Sequence, residues 1–339
     1  MIFIFLADLA FGFDSSVHLT QCTQKLETMK RRGFTKDILT HCYQRTADKG
    51  ILFYSYGDCL EYFTLYCLLA RKYSIRVCTC CLMLDHVHDA LSAKQSRCLE
   101  SFKRDLNTHF SNAYNKRCGI KGPLLESPFG SAVKQGAKRA RNTIIYVGNN
   151  PVERQLVTKA EEYRWNFVAY AESSHPFSEK LVIRDARWPL QQAVREVRAQ
   201  HAAGNYLPYA LLQRLFIPLN AAERQQLTDY IVSTYNVIDY PYALQFFDGS
   251  YENMLTAMHS TTGHEYDLNE TFTGISDKYY YQMAALVKQE AGLIDIHELL
   301  PLDLLRKQKL FQLLKRRMDC PAQQIAKFLH LPLQFGQLH

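Results

Sequence analysis

Between residues 38 and 151 the hydrophobic period of the chain switches back and forth between two and 3.6 residues, and this alternation restricts the fold more than any other feature. Ile38-Leu39-Thr40-His41-Cys42-Tyr43-Gln44-Arg45-Thr46 reads as a strand ending at the polar turn Asp48-Lys49-Gly50, and Ile51 to Tyr54 could continue an edge. From Asp58 to Tyr73, Leu60, Phe63, Leu65, Cys67, Leu68 and Leu69 recur with a helical spacing. Ile75 to Met83 is rich in β-branched, Cys and Leu residues and runs on into His86-Val87-His88, which predicts strands with a turn near Leu84-Asp85. Ser96 to Arg117 is amphipathic, with Leu99, Phe102, Leu106, Phe110 and Tyr114 on one stripe; Gly119 to Gly130 reads as loop plus a short strand. Arg139 to Gly148 is helical and should stop at Asn149-Asn150-Pro151, because a residue before proline is disfavoured in the helical region. Strand, helix, strand, strand, helix, helix predicts an α+β fold with an antiparallel sheet, ferredoxin-like in style.

The flanks differ in character. Residues 14 to 37 look helical and charged, and residues 1–37 are expected to be an N-terminal extension to a 38–172 domain. Beyond Ser173 the patterns are mostly helical, which predicts a second, α-helical domain over 173–339. Within it, Ala322 to Leu333 resembles the first helix and turn of a helix-turn-helix behind the basic helix Leu305 to Arg317. A partial unit over 305–339 and a plain helical bundle both fit that pattern. The apolar start Met1 to Phe13 is broken by Asp8 and falls short of the roughly 20 residues that span a bilayer, so no membrane role is expected. Ten cysteines, with no basic segment before the apolar start and no cleavage site after it, fit a reduced cytoplasmic location better than a disulfide framework.

Charge is shared unevenly. Residues 1–171 hold 24 Lys+Arg against 15 Asp+Glu, whereas residues 172–339 hold 16 against 18. Lys94 to Arg141 is densest, with eleven basic and three acidic side chains. Such a bias attracts phosphates, although a solvated helix face can look the same. The candidate contacts for a nucleic acid are Lys103, Arg104, Arg117, Lys134, Lys138, Arg139 and Arg141, with Phe110 and Tyr114 either stacking platforms or core.

Two constellations carry chemistry. His86 and His88, one residue apart on a strand, point to the same face and can present two imidazoles to one ion; surface or core histidines also occur at this spacing by chance. Asp85 and Asp89 would point the other way and be solvated or buttress the histidines from outside. Tyr146 and Asn150 are separated by four residues and share a helix face, so an amide oxygen able to ligate a hard cation lies one turn from a phenol. The bland alternative has Tyr146 in a core and Asn150 capping a helix. Cys78, Cys80 and Cys81 lack the second Cys-x-x-Cys pair of a structural zinc site and read as buried small hydrophobes.

Cys81-Leu82-Met83-Leu84-Asp85-His86-Val87-His88 resembles the signature Cys-Leu-Met-Pro-Asn-His-Val-His of the single-tyrosine HUH transposases, within them the REP-associated branch. Tyr114-Asn115 with Arg117, Gly119 and Gly122-Pro123-Leu124 is similar to their Tyr-Asn-x-Arg-x-Gly-x-x-Gly-x-Leu stretch. Tyr146-Val147-Gly148-Asn149-Asn150-Pro151-Val152 and Glu162-Tyr163-Arg164-Trp165 look like their Tyr-Ile-x-x-Asn-Pro-Val and Glu-Tyr-Arg-Trp motifs. The resemblance spans residues 38–172. Departures are Leu84 for Pro, Asp85 for Asn, and Glu126-Ser127-Pro128-Phe129 in place of a Gln-x-Arg-Phe-like run. The resemblance implies a ferredoxin-like HUH endonuclease fold, His86, His88 and Asn150 as ligands of Mg²⁺ or Mn²⁺, and Tyr146 as nucleophile. It also implies single-stranded DNA with a hairpin as substrate, cleavage through a 5′-phosphotyrosine, and either a monomer or a homodimer. Two rival readings are a domesticated nuclease acting on chromosomal repeats and a DNA-binding protein that has lost cleavage.

Overall fold

The computed structural model describes residues 33–260 and 276–332. The expected 1–37 extension falls almost entirely outside the described residues, as do the loops at Gly263 and Gly274 and the segment 334–339 that would have to serve as a recognition helix. The first half runs β1 (Thr40–Arg45), α1 (Tyr56–Lys72), β2 (Arg76–Leu82), β3 (His86–Ser92), α2 (Ser96–Cys118), β4 (Gly130–Val133) and α3 (Ala137–Glu153). The four strands form one antiparallel sheet in the order β2-β3-β1-β4, so the chain is α+β as its alternating periods require.

Register decides what each face carries. Tyr43 pairs with His88 and Arg45 with His86, while Cys81 pairs with His88 on the other side of β3. Because side chains alternate along a strand, His41, Tyr43, His86, His88 and Cys81 share one face and Cys42, Gln44, Cys80 and Asp89 the other. α2 covers the second face: Lys103 pairs with Asp89, and the Asn107 amide donates to Gln44 Oε1 at 2.6 Å. α3 covers the first, with Tyr146 against His41 and His88 and Asn150 against His86. Ile51 to Tyr54 adds no edge strand; Leu52 and Phe53 both donate their backbone N–H to Leu84 O, at 2.7 and 3.0 Å, which folds this segment under the β2–β3 turn.

α1 begins at a capping box in which Ser55 and Asp58 satisfy each other's backbone N–H. Every residue from Asp58 to Cys67 is buried, so the helix is covered all round rather than along a stripe. The later elements supply that cover. They are α4 (Trp188–Ala202), α5 (Tyr209–Phe216), α6 (Ala221–Tyr235), α7 (Tyr240–Leu244), α8 (Tyr251–Ser260), α9 (Lys278–Ala291), α10 (Leu304–Arg317) and α11 (Ala322–Phe328). Leu207 N donates to Thr64 Oγ1 at 3.1 Å, Tyr209 N to Glu61 Oε1 at 3.0 Å, and His297 Nε2 meets Asp58 Oδ2 at 2.9 Å. Asp239 N donates to Val77 O at 2.8 Å and so closes the outer edge of the sheet at β2. The described residues from Phe34 onward form one compact unit, and a single hydrophobic core draws on residues from both sides of position 172. The change at 172–173 is therefore one of secondary structure, with no break in the packing.

The expected helix end at Asn149-Asn150-Pro151 is corrected: α3 runs through Pro151 to Glu153. Pro151 sits in the last turn, where it deletes one i to i−4 bond only, and the buried face from Thr143 to Pro151 holds the helix against that loss.

Candidate metal and nucleophile site

β3 presents His86 and His88, and α3 presents Tyr146 and Asn150 one turn apart; the two elements bring the four side chains together. His86 Nε2 lies 3.3 Å from Asn150 Oδ1. The His86 and His88 rings stand nearly perpendicular, 84° apart with centroids at 4.7 Å. The Tyr146 ring stands edge-on to His88 at 5.3 Å and to His41 at 5.6 Å.

Proton placement follows from the partners. Asp85 Oδ1 is 2.5 Å from His86 Nδ1, and Asp85 Oδ2 pairs with Lys327 of α11. Burial pushes the Asp85 carboxyl up, but His86 and Lys327 beside it outweigh this and hold it well below the usual range. The ionised carboxylate can only accept, so His86 Nδ1 carries the proton. Nε2 then faces another acceptor, the Asn150 oxygen. A cation lodged between the two lone pairs would satisfy that contact.

His41 Nε2 lies 3.0 Å from His88 Nδ1. Burial, then the neighbouring His86, His41 and Arg45, drive the His88 pKa well below its ordinary value. His41 is lowered to about 3 by burial and then by Lys134 and Lys103. Both rings are therefore neutral at physiological pH. With His88 Nδ1–H donating to His41, Nε2 of His88 keeps the lone pair a metal takes. Two imidazole nitrogens and one amide oxygen could hold a divalent cation whose remaining positions are filled by water or other oxygen ligands. Among the described residues, no three His, Cys, Asp or Glu side chains converge in a metal-holding group.

The site is closed. Tyr146 and His88 are 0% exposed, Asn150 1% and His86 2%, so the phenol and its three neighbours are shielded from solvent. The bland alternative for Tyr146 is thus half right: the ring is in the core and beside the histidines at once.

The expected DNA contacts divide. Lys103 is corrected: it is 1% exposed and neutralises Asp89 inside the α2–sheet layer. Arg117 is corrected as well, since its guanidinium meets Asp58 at 2.7 Å and Glu61 at 2.5 Å and stacks 3.9 Å over Tyr209. Phe110 and Tyr114 are core. Arg104, Lys138, Arg139 and Arg141 are exposed, with Lys134 half-buried. Asp89, expected at the margin of the site, is its Lys103-paired neighbour on the opposite face, and Asp85, expected to be solvated or buttressing, is the His86 buttress. Cys78, Cys80 and Cys81 are buried free thiols.

Sequence reasoning missed His41 and Lys327. His41 has a legible signal: it is two residues before Tyr43 on a strand, but only the β1–β3 register sets it beside His88. Lys327 has none, since it pairs with Asp85 from 242 residues away.

No helix among the described residues is long and apolar enough to cross a membrane. No family model and no curated protein matches the chain. Among solved structures, the chain is similar to a REP-associated tyrosine transposase bound to a REP hairpin, at 14% identity and a TM-score of 0.38, over 42% of this chain and 84% of that one.

Proposed function

We propose that this chain is a metal-dependent single-stranded DNA endonuclease and strand transferase of the single-tyrosine HUH type, with a ferredoxin-like β-α-β-β-α-β core. The observation that carries the reading is the convergence of His86, His88 and Asn150 beside Tyr146, from two elements whose motifs occur in that family's order. His86, His88 and Asn150 would hold Mg²⁺ or Mn²⁺. When bound, the cation polarises the scissile phosphate, offsets the charge developing on it and eases ionisation of a phenol whose ordinary pKa is near 10.

The chain's own groups do the rest. Tyr146 attacks phosphorus in line: its Oη–P bond forms, the P–O3′ bond breaks, and the phenolic proton is lost as the 3′ oxygen gains one. The product is a 5′-phosphotyrosine with a free 3′-OH, which can later attack a second such linkage and join strands without a nucleotide cofactor. Asp85 keeps His86 in the tautomer that directs Nε2 at Asn150, and His41 does the same for His88. The substrate in this reading is hairpin-bearing single-stranded DNA, led to the site by exposed Arg104, Lys138, Arg139 and Arg141.

Tyr146→Phe tests it. The variant keeps the ring and the helix, and it should fold and bind hairpin DNA but form no protein-linked strand on a denaturing gel with Mn²⁺. An adduct that persists in this variant, or a parent protein that cuts without ever forming one, rejects the tyrosine mechanism. The complete burial of Tyr146 favours one second reading, a DNA-binding protein that no longer cleaves; it predicts hairpin binding with no adduct in the parent.

A further inference from the structure

A cleft of about 220 Å³ opens at the C-terminal end of α2, with Asp48, Asn115, Lys121, Gly122, Lys307 and His330 in its wall. Lys307, on α10, is only 9% exposed. Among the described residues its ammonium makes no ion pair and no hydrogen bond, although it borders the cleft. The carboxylate in the wall is already engaged: Asp48 Oδ2 is 2.5 Å from His330 Nδ1, and its Oδ1 accepts from Gly50 N at 2.9 Å. His330 Nε2 in turn donates to Ile51 O at 2.9 Å. The ring lies so close to the backbone that a Cβ on Gly50 would fall 2.4 Å from it, so only glycine admits this arrangement. Burial lowers the Lys307 pKa while Asp48 opposes the shift.

Lys307 is largely buried as a residue and its ammonium has no ion pair or hydrogen bond of its own, so an anion entering the cleft would gain a direct partner there. Lys121 is exposed at the mouth, on the loop that Gly119 starts in the left-handed region (φ +65°) and that the Asn115 amide ties down by donating to Gly122 O at 2.8 Å. α10 adds Arg306, Lys309, Lys315, Arg316 and Arg317 to Lys307 and holds no acidic residue. One short segment contacts both the cleft and the candidate metal site: Lys327 pairs with Asp85 beside His86, and His330, three residues on, meets Asp48 in the cleft.

We propose that this cleft binds a phosphate group, with the Lys307 ammonium as its inner partner and Lys121 at its mouth. Where the function proposed above holds, on which this extension rests, the group is a backbone phosphate of the DNA strand on its way to Tyr146. A free phosphate ion presents the same oxygens, so the test separates the two sources.

The full chain is compared with Lys307→Gln, Lys121→Ser and, as a charge control at an exposed lysine elsewhere, Lys180→Ser. Thermal melting is followed with and without inorganic phosphate, and anisotropy of a labelled hairpin oligodeoxynucleotide is measured across a salt series. Phosphate should raise the Tm of the parent and of Lys180→Ser but leave Lys307→Gln unmoved, and Lys307→Gln without phosphate should melt no lower than the parent. Hairpin affinity should fall about tenfold in Lys307→Gln and about threefold in Lys121→Ser, with a shallower salt dependence, while Lys180→Ser changes it less than twofold. A phosphate shift lost in Lys307→Gln with hairpin affinity unchanged keeps the cleft and assigns it to a free anion. A parent that binds no DNA yet shows the Lys307-dependent shift also keeps the cleft and removes the nuclease reading. Equal phosphate shifts in parent and Lys307→Gln, or a lower phosphate-free Tm in Lys307→Gln, overturn the proposal.

Discussion

Lys103→Met separates a lysine that contacts DNA from one that belongs to the fold. The Lys103 ammonium and the Asp89 carboxylate are 1% and 0% exposed and in direct contact. At about 3 Å and an effective dielectric near 20, their attraction is on the order of 5 kcal/mol, much of which offsets the desolvation of both ions. Removing one partner of such a pair costs about 3–5 kcal/mol, because the other charge is left buried and uncompensated. For a unit of this size that corresponds to a fall in Tm of roughly 5–8 °C. The abandoned carboxylate should take up a proton, so the deficit should narrow as pH falls. Adding Asp89→Asn removes the stranded charge, and the double variant should recover more than half of the loss in a double-mutant cycle. Melting by circular dichroism at two pH values, with hairpin anisotropy under conditions where each variant is folded, reads all of these. Parental stability together with a several-fold loss of hairpin affinity would refute the reasoning and return Lys103 to the DNA-binding surface.

Three further outcomes are expected. His86→Ala with His88→Ala should abolish Mn²⁺ binding by calorimetry and any cleavage while sparing hairpin affinity; Mn²⁺ binding that survives in the double variant contradicts the ligand assignment. A 38–172 fragment should be insoluble or molten, because Leu207, Tyr209 and His297 cover α1 from outside it; a cooperative melt of the fragment would show the opposite. Burial lowers the pKa of His297, but Asp58 and Asp295 outweigh it and raise it to about 9. The folded value lies above the unfolded one, so this stability is complete below about pH 6.5 and is lost as pH climbs through about 9. Tm measured across that window should fall in the parent and stay flat in His297→Ala.

Single-element periods made half of the site legible. A period of two places His86 and His88 on one face, and a spacing of four places Tyr146 above Asn150; neither statement needs to know what packs opposite. His41 depended on register and Lys327 on a contact between distant segments, and no local period encodes either. Lys103 was misread although a local signal existed: it lies four residues after Leu99 and three before Leu106, inside the apolar stripe rather than beside it. Pro151 shows the reverse failure, where a local preference of its predecessor yields to a helix already buried on that side. The change to mostly helical patterns beyond Ser173 predicts a second domain, but a local period does not register which helix a later segment covers. α1 carried the clue in its own sequence, since Tyr62, Phe63, Leu65, Tyr66 and Cys67 leave it no polar side to give to water.

The Lys327–Asp85 pair also has a consequence in time. A ribosome adding about 5–20 residues per second needs on the order of 10–50 s to travel the 242 positions between them. Throughout that interval the strand bearing His86 and His88 exists without the cation that fixes Asp85, and α1 without the imidazole that meets Asp58. The half that bears His86, His88 and Tyr146 is made first and finished last, so a nascent chain, or one cut short, carries these residues without the contacts with Lys327 and His297.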